Sequence, residues 1–206
     1  MLRLTANDSA LATSDDIQVT AAPSGGLLVL DVAVSATNDD AEQASATGAM
    51  DLSSSDLELV ADGSTVQLVG MRFGAVTIPQ GAQILAAYLQ FVTDETGSAA
   101  TSLTVQGEAA DTAGVFTTAA SNISSRPRTT AAVPWSPPPW TVIGEAGANQ
   151  RTPNLAGVIQ EIVNRPGWAS GNAVAVIITG TGRRTAEAFE SGAAIAPELH
   201  IEYTLP

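Results

Sequence analysis

The side chains best suited to chemistry in this chain are carboxylates set in loops or at the ends of apolar runs: Asp39, Asp40 and Glu42, then Asp56, then Asp94 and Glu95. Calcium takes six to eight oxygen ligands at about 2.3–2.6 Å, so clustered carboxylates joined by loop carbonyls are what a Ca²⁺ site requires. No linear EF-hand spacing occurs, and a site would have to assemble from separate loops. The alternative is a solvated acidic rim. Trp135 and Trp140 flank the run Pro137–Pro139. Exposed there, they would stack on sugar rings; packed on the prolines, they would be structural. Trp168 precedes an apolar run and reads as core. Arg183 and Arg184 follow Gly182 and would either hold an acidic sugar such as a uronate or neutralise nearby carboxylates. Arg126 and Arg128 carry the same two readings. Arg72, between Met71 and Phe73, suggests an internal salt bridge.

Enzyme chemistry finds little purchase. His200 is the sole histidine and sits between Leu199 and Ile201 at an outward strand position, so it supports neither a Ser-His-Asp triad nor a His-based metal site. A glycosidase needs two carboxyls facing each other across a cleft. Glu161 lies off its helix's apolar stripe, toward solvent. Gly180-Thr181-Gly182-Arg183 is a turn with no helix behind it to cradle phosphate. The expectation is a non-catalytic protein.

Composition narrows the partners. The chain has 206 residues, 21 Asp and Glu against 8 basic residues, all Arg, and a net charge of −13. Such a surface repels phosphate backbones and anionic lipid, so nucleic acid and membrane insertion are not expected, and cations are. There is no cysteine, hence no disulfide and no thiolate metal site. No run reaches the length of a transmembrane helix, and the first residues lack the apolar stretch of a signal peptide.

The elements that must position these groups are mostly strands. The stretch from Leu68 to Glu95 holds two apolar runs, Val66 to Val76 and Ile84 to Val92, joined by Ile78-Pro79-Gln80-Gly81 as a hairpin or an arch. In the second run, Leu85, Ala87, Leu89 and Phe91 alternate with Ile84, Ala86, Tyr88 and Gln90. Further strands are read at 27–34, 54–59, 102–108, 133–135, 140–143, 173–179 and 199–203. Residues 35–50 read as a polar connection and 110–154 as long and proline-rich. One helix is expected at about 153–164, with Thr152 as N-cap, Pro153 at its first position, and Leu155, Val158, Ile159, Ile162 and Val163 as its apolar stripe. Together these predict a mainly β, jelly-roll-like β-sandwich over residues 27–206 with one flanking α-helix.

Two resemblances extend this reading. Residues 1–22, with Leu2-Arg3-Leu4-Thr5 and Ile17-Gln18-Val19-Thr20, resemble the closing strands of PKD or Ig-like domains, implying a terminal strand pair or N-terminal extension. Val69-Gly70-Met71-Arg72-Phe73, Ile78-Pro79-Gln80-Gly81-Ala82, Ala87-Tyr88-Leu89-Gln90-Phe91 and Ala196–Tyr203 resemble the jelly-roll modules of the DNRLRE and carbohydrate-binding types in bacterial extracellular multidomain proteins. Gly74 departs from them, standing where an Asp usually follows. The resemblance implies a secreted or cell-surface bacterial module, Ca²⁺-stabilised, binding polysaccharide or supporting adhesion beside neighbouring domains. A second reading is a structural repeat or filament subunit, a homo-oligomer through its N-terminal strands by β-strand addition.

Overall fold

The computed structural model describes residues 25–206; the strand pair expected within residues 1–22 lies outside the described residues. The strands, in chain order, are β1 (Leu28–Ala33), β2 (Asp40–Ala44), β3 (Met50–Asp51), β4 (Asp56–Glu58), β5 (Ala61–Asp62), β6 (Thr65–Phe73), β7 (Gln83–Gln90) and β8 (Thr93–Glu95). After them come β9 (Ser102–Glu108), β10 (Arg128–Trp135), helix α1 (Ala156–Val163), β11 (Val174–Thr181), β12 (Thr185–Glu187) and β13 (Glu198–Thr204). They form a large antiparallel sheet in the order β10-β9-β11-β6-β2-β3, with β5 on β6, and two three-stranded sheets, β1-β13-β7 and β4-β12-β8.

The result is a mainly β sandwich with one helix on its flank. Phe73, Met71 and Val69 of β6, Val105 of β9 and Val176 and Ile178 of β11 face Leu89 and Ala87 of β7 and Leu199 and Ile201 of β13 in one core. Helix α1 closes the side of that core with Val158, Ile159, Ile162 and Val163. The helix sits close because β9 carries Gly107: a Cβ there would come within 2.7 Å of the Ile162 Cδ1. The central runs at Val66–Val76 and Ile84–Val92 fall in different sheets, so their connection is an arch rather than a hairpin.

A second core lies on the far face of the large sheet. Ala173, Ala175 and Ile177 of the β11 run, with Ala41 of β2, pack beneath Ala113, Phe116 and Ile123. Part of the proline-rich connection is therefore a lid, and β11 is apolar at consecutive positions because both of its faces are covered. Gly70 admits the lid's Phe116, whose Cζ would lie 2.6 Å from a Cβ.

Several local expectations are corrected. The polar stretch 35–50 contains β2, an inner strand buried at Asp40, Ala41, Glu42 and Gln43. Its polar residues are tolerated because each finds a backbone donor: Gln43 Oε1 accepts from Ile123 N and Ser124 N at 2.9 and 2.8 Å. The alternation expected in β7 breaks at one place. Glu202 pairs with Ala86 but Tyr203 pairs with Ile84, so Leu85 is an extra residue that turns outward, 44% exposed, while Ile84 turns in. Helix α1 starts later than expected, at Ala156, because Thr152 and Asn154 are engaged by β7. Between Trp140 and Ile143 there is only a bridge from Trp140 to Gly97, and Val142 and Ile143 are exposed.

Candidate functional site

The carboxylates singled out in the sequence divide into distinct settings. Asp39 leaves the group: its Oδ1 lies 2.6 Å from Arg72 Nη1, the internal salt bridge expected of that arginine. Asp40 and Glu42 alternate along β2 and point into the sandwich, away from Ala41. Asp40 Oδ2 accepts from Phe189 N at 3.0 Å. Burial, with Glu190 alongside, pushes its carboxyl up to about 7. Glu42 Oε1 accepts from Glu58 N at 2.7 Å. Burial and the adjoining Glu58 carboxyl push Glu42 up to about 9, so one of the two holds a proton between them. Burial also raises Glu58. Glu190, which the sequence reading did not assign to this group, has both carboxylate oxygens buried and unpartnered among the described residues.

Asp56 accepts from Ser54 Oγ at 2.8 Å and acts electrostatically on Glu42. Asp94 lies on β8, raised by slight burial and by Glu187 and Asp56. Glu95 pairs with Arg183 at 3.0 Å; both ends are about half exposed, so the pair is worth about 0–1 kcal/mol. Arg183 is thus the neutralising kind of arginine. The structure thus sets Asp56 between two neighbours, acting on Glu42 across β2 and β4 and on Asp94 of β8, while Asp40 turns to Phe189 and Glu190, and Asp39 and Glu95 are taken by arginines. Among the described residues no group of three or more carboxylate or imidazole ligands is placed to hold a metal ion.

The aromatic residues are placed differently from a sugar platform. Trp135 is 4% exposed and Trp140 fully buried, and Phe91 stacks on the first at 5.8 Å between centroids and tilts toward the second at 6.3 Å. Trp140 Nε1 donates to Asn149 O at 2.9 Å, and Trp168 Nε1 to Ile78 O at 2.9 Å. All three are core. Arg184 is 2% exposed and donates to the carbonyls of Pro138, Ala99, Arg183 and Pro137 and to Thr101 Oγ1, tying two loops to β12. Burial lowers its pKa from the ordinary value. Its Nε and Nη1 donors are fully engaged and the residue is buried, so it presents no face to a ligand.

On the outer face of the β1-β13-β7 sheet, a row of side chains crosses the strands. Asp31 Oδ1 lies 2.6 Å from His200 Nδ1, His200 stacks on Tyr88 at 4.5 Å, and the Arg151 guanidinium covers the other face of Tyr88 at 4.0 Å. Both faces of the tyrosine ring are occupied, so it offers no stacking surface.

The remaining polar chemistry closes sheet edges. An exposed edge strand is a template for pairing, and proteins cover or shorten it. Along β7, Ile84 N donates to Gln160 Oε1, Ala87 N to Asn154 Oδ1 and Leu89 N to Thr152 Oγ1, at 2.8, 3.0 and 3.0 Å. Backbone bonds from Leu155 N to Ala87 O and from Thr152 N to Leu89 O complete the seal. On β10, Glu161 accepts from Thr130 N and Ala131 N, both at 2.8 Å, so it is not in solvent as read from the sequence. On β4, the closing group is Glu42. On β8, Gly144, Glu145 and Trp140 pair with Thr93 and Gly97. β3 is only two residues long.

β1 is the exception. It pairs with β13 from Leu28↔Tyr203 to Ala33↔Glu198, and among the described residues nothing bonds to its other side. Its beginning is apolar and exposed: Leu27 57%, Leu28 37%, Val29 53%. The sequence predicts a strand over 27–34 but does not single out those residues. Their only signal is an apolar run of edge length that carries no charge before Asp31.

The class these features define is a β-sandwich whose charged and aromatic side chains hold loops and edges in place, with one edge left without a partner among the described residues. No protein-family model matches the chain, and comparison with curated proteins finds no match. No helix among the described residues is long and apolar enough to cross a membrane.

Proposed function

We propose that this chain is a non-catalytic structural module of a secreted, surface-attached bacterial protein, joining a neighbouring strand at the outer edge of β1. The observation that supports the reading is the contrast in edges: among the described residues five are sealed or cut short, and β1 is not. Main-chain bonds along such an edge supply affinity, and the side chains on either face supply selectivity. The extracellular setting comes from the resemblance of the motifs at 69–73, 78–82 and 196–203. Adhesion through assembly fits this arrangement. Glycan binding would have to use side chains other than Trp135, Trp140 and Arg184, which are buried. Ca²⁺ stabilisation would draw on Asp40, Glu42 and Asp56 with Glu58 and Glu190, and would require them to rearrange.

The test is light scattering on size-exclusion fractions over a range of protein concentration. Wild-type protein should give a species larger than the 20.9 kDa chain. Val29→Lys, placing a charge on the edge, should abolish that species with an unchanged circular dichroism spectrum. A monomer at every concentration, with the lysine variant indistinguishable from wild type, overturns the reading.

A further inference from the structure

The outer edge of β1 begins with the apolar run Leu27–Leu30, and the charge beside it lies on β13, where Glu202, His200 and Glu198 stand opposite Val29, Asp31 and Ala33. Leu205, whose backbone a Cβ on Gly25 would touch at 3.3 Å, is 50% exposed and extends the apolar patch of Leu27, Leu28 and Val29. The one carboxylate on β1, Asp31, is held at His200. The usual guards of an open edge are missing: β1 contains no proline, and the chain contains no lysine. A strand that fits here must be apolar at its centre and must itself have a free edge. β1 of another molecule meets both conditions among the described residues. Resting on the strand-addition reading above, we infer that the occupant is a second copy of this chain, with β1 against β1 in antiparallel register across a twofold axis.

The geometry also selects the register. A twofold axis perpendicular to the joined sheet leaves every side chain on its own face, and side chains alternate faces along a strand. Paired residues must therefore be an even number of positions apart, and one residue must lie opposite its own copy. Asp31 is unsuited to that place, since like charges directly opposed are destabilising. Val29, 53% exposed, suits it: it meets its own copy at the centre, Leu28 faces Leu30 of the second copy, and Leu27 faces Asp31 of the second copy. The β1-β13-β7 sheets of the two copies become one continuous sheet. Each copy carries a net charge of −13, so long-range repulsion opposes the pairing and added salt strengthens it by screening.

The absence of cysteine makes the test clean, because a single introduced thiol reports only on its own pairing. Directly opposed residues of an antiparallel pair have Cα atoms about 4.5–5.5 Å apart, within disulfide reach. Under mild oxidation Val29→Cys should run on a non-reducing gel at twice the 20.9 kDa of the chain. Asp31→Cys alone should stay at the single-chain position, and Leu27→Cys combined with Asp31→Cys should give the dimer again. If Val29→Cys fails to cross-link while Val29→Lys still abolishes a wild-type oligomer, β1-to-β1 pairing is overturned and strand addition stands with another strand, such as one from residues 1–24. If there is neither cross-link nor oligomer, both fall.

Discussion

β7 and β1 are the two outer strands of the same three-stranded sheet, and they are finished in opposite ways. Residues 150–160 run beside β7 and meet its amides one after another with Thr152, Asn154 and Gln160, while α1 covers the space behind. β1 has comparable length and a more apolar start, yet among the described residues it meets only β13. Burying the amides of β7 without partners would cost about 1–3 kcal/mol each, so its closure is a condition of folding. Among the described residues nothing bonds to the outer edge of β1, and where water meets it the same groups are solvated at little cost. Stability thus depends on the closed edges, and the proposed association on β1.

This comparison can be broken first through pH, because one closure uses a carboxyl that must hold a proton. Asp40 and Glu42 titrate higher in the folded chain, about 7 and about 9, than their ordinary values of 3.8 and 4.5. The folded state therefore binds more protons than the unfolded state in that window. Their contribution is complete below about pH 4 and is lost as pH rises through about 7 for Asp40 and about 9 for Glu42, on the order of a few kcal/mol in total. Urea midpoints should fall steadily from pH 5 to pH 9. Asp40→Asn should flatten the lower part of that decline and Glu42→Gln the upper part. A midpoint that rises over this range contradicts the protonated closure of β4.

Next in size is Thr152→Val, which keeps the side chain's shape and removes the acceptor of the buried Leu89 amide. It should cost about 2 kcal/mol, read from denaturant unfolding. Glu161→Gln keeps one acceptor of the two facing Thr130 and Ala131 on β10, and should cost about 1 kcal/mol. Smallest of all is Val29→Lys, which at low protein concentration should leave stability within about 0.5 kcal/mol of wild type. A loss there as large as that of Thr152→Val would mean that β1 is a closed edge too.

Much of the sandwich was legible because burial leaves a periodic trace. The outward-inward alternation of 199–203, the apolar stripe of α1 and the doubly covered run at 173–179 all follow from local pattern. What was not legible depends on pairing between distant segments. Leu85 turns outward because β13 lacks a residue opposite it, a fact written in another strand. Thr152 and Asn154 have the composition of a helix start, and α1 begins after them because β7 offers amides in need of acceptors. Trp135 and Trp140 lie in a proline-rich stretch with no periodicity, and only the tertiary contact with Phe91 settles that they are core. Asp39, Asp40 and Glu42 look alike in sequence; an arginine 33 residues away takes the first, and the other two turn to distant amides. Edges are the extreme case, since whether a strand is outermost depends on every other strand in its sheet.

The most direct measurement is amide hydrogen exchange, residue by residue, at low and high protein concentration. In dilute protein, the amides of Ile84, Ala87 and Leu89 should be protected, while alternate amides of Leu28–Ala33, those pointing away from β13, exchange quickly. Raising the concentration should slow those β1 amides and leave the β7 amides unchanged. Uniform protection along β1 at every concentration would contradict the account, because it would mean that the edge is already covered within a single chain.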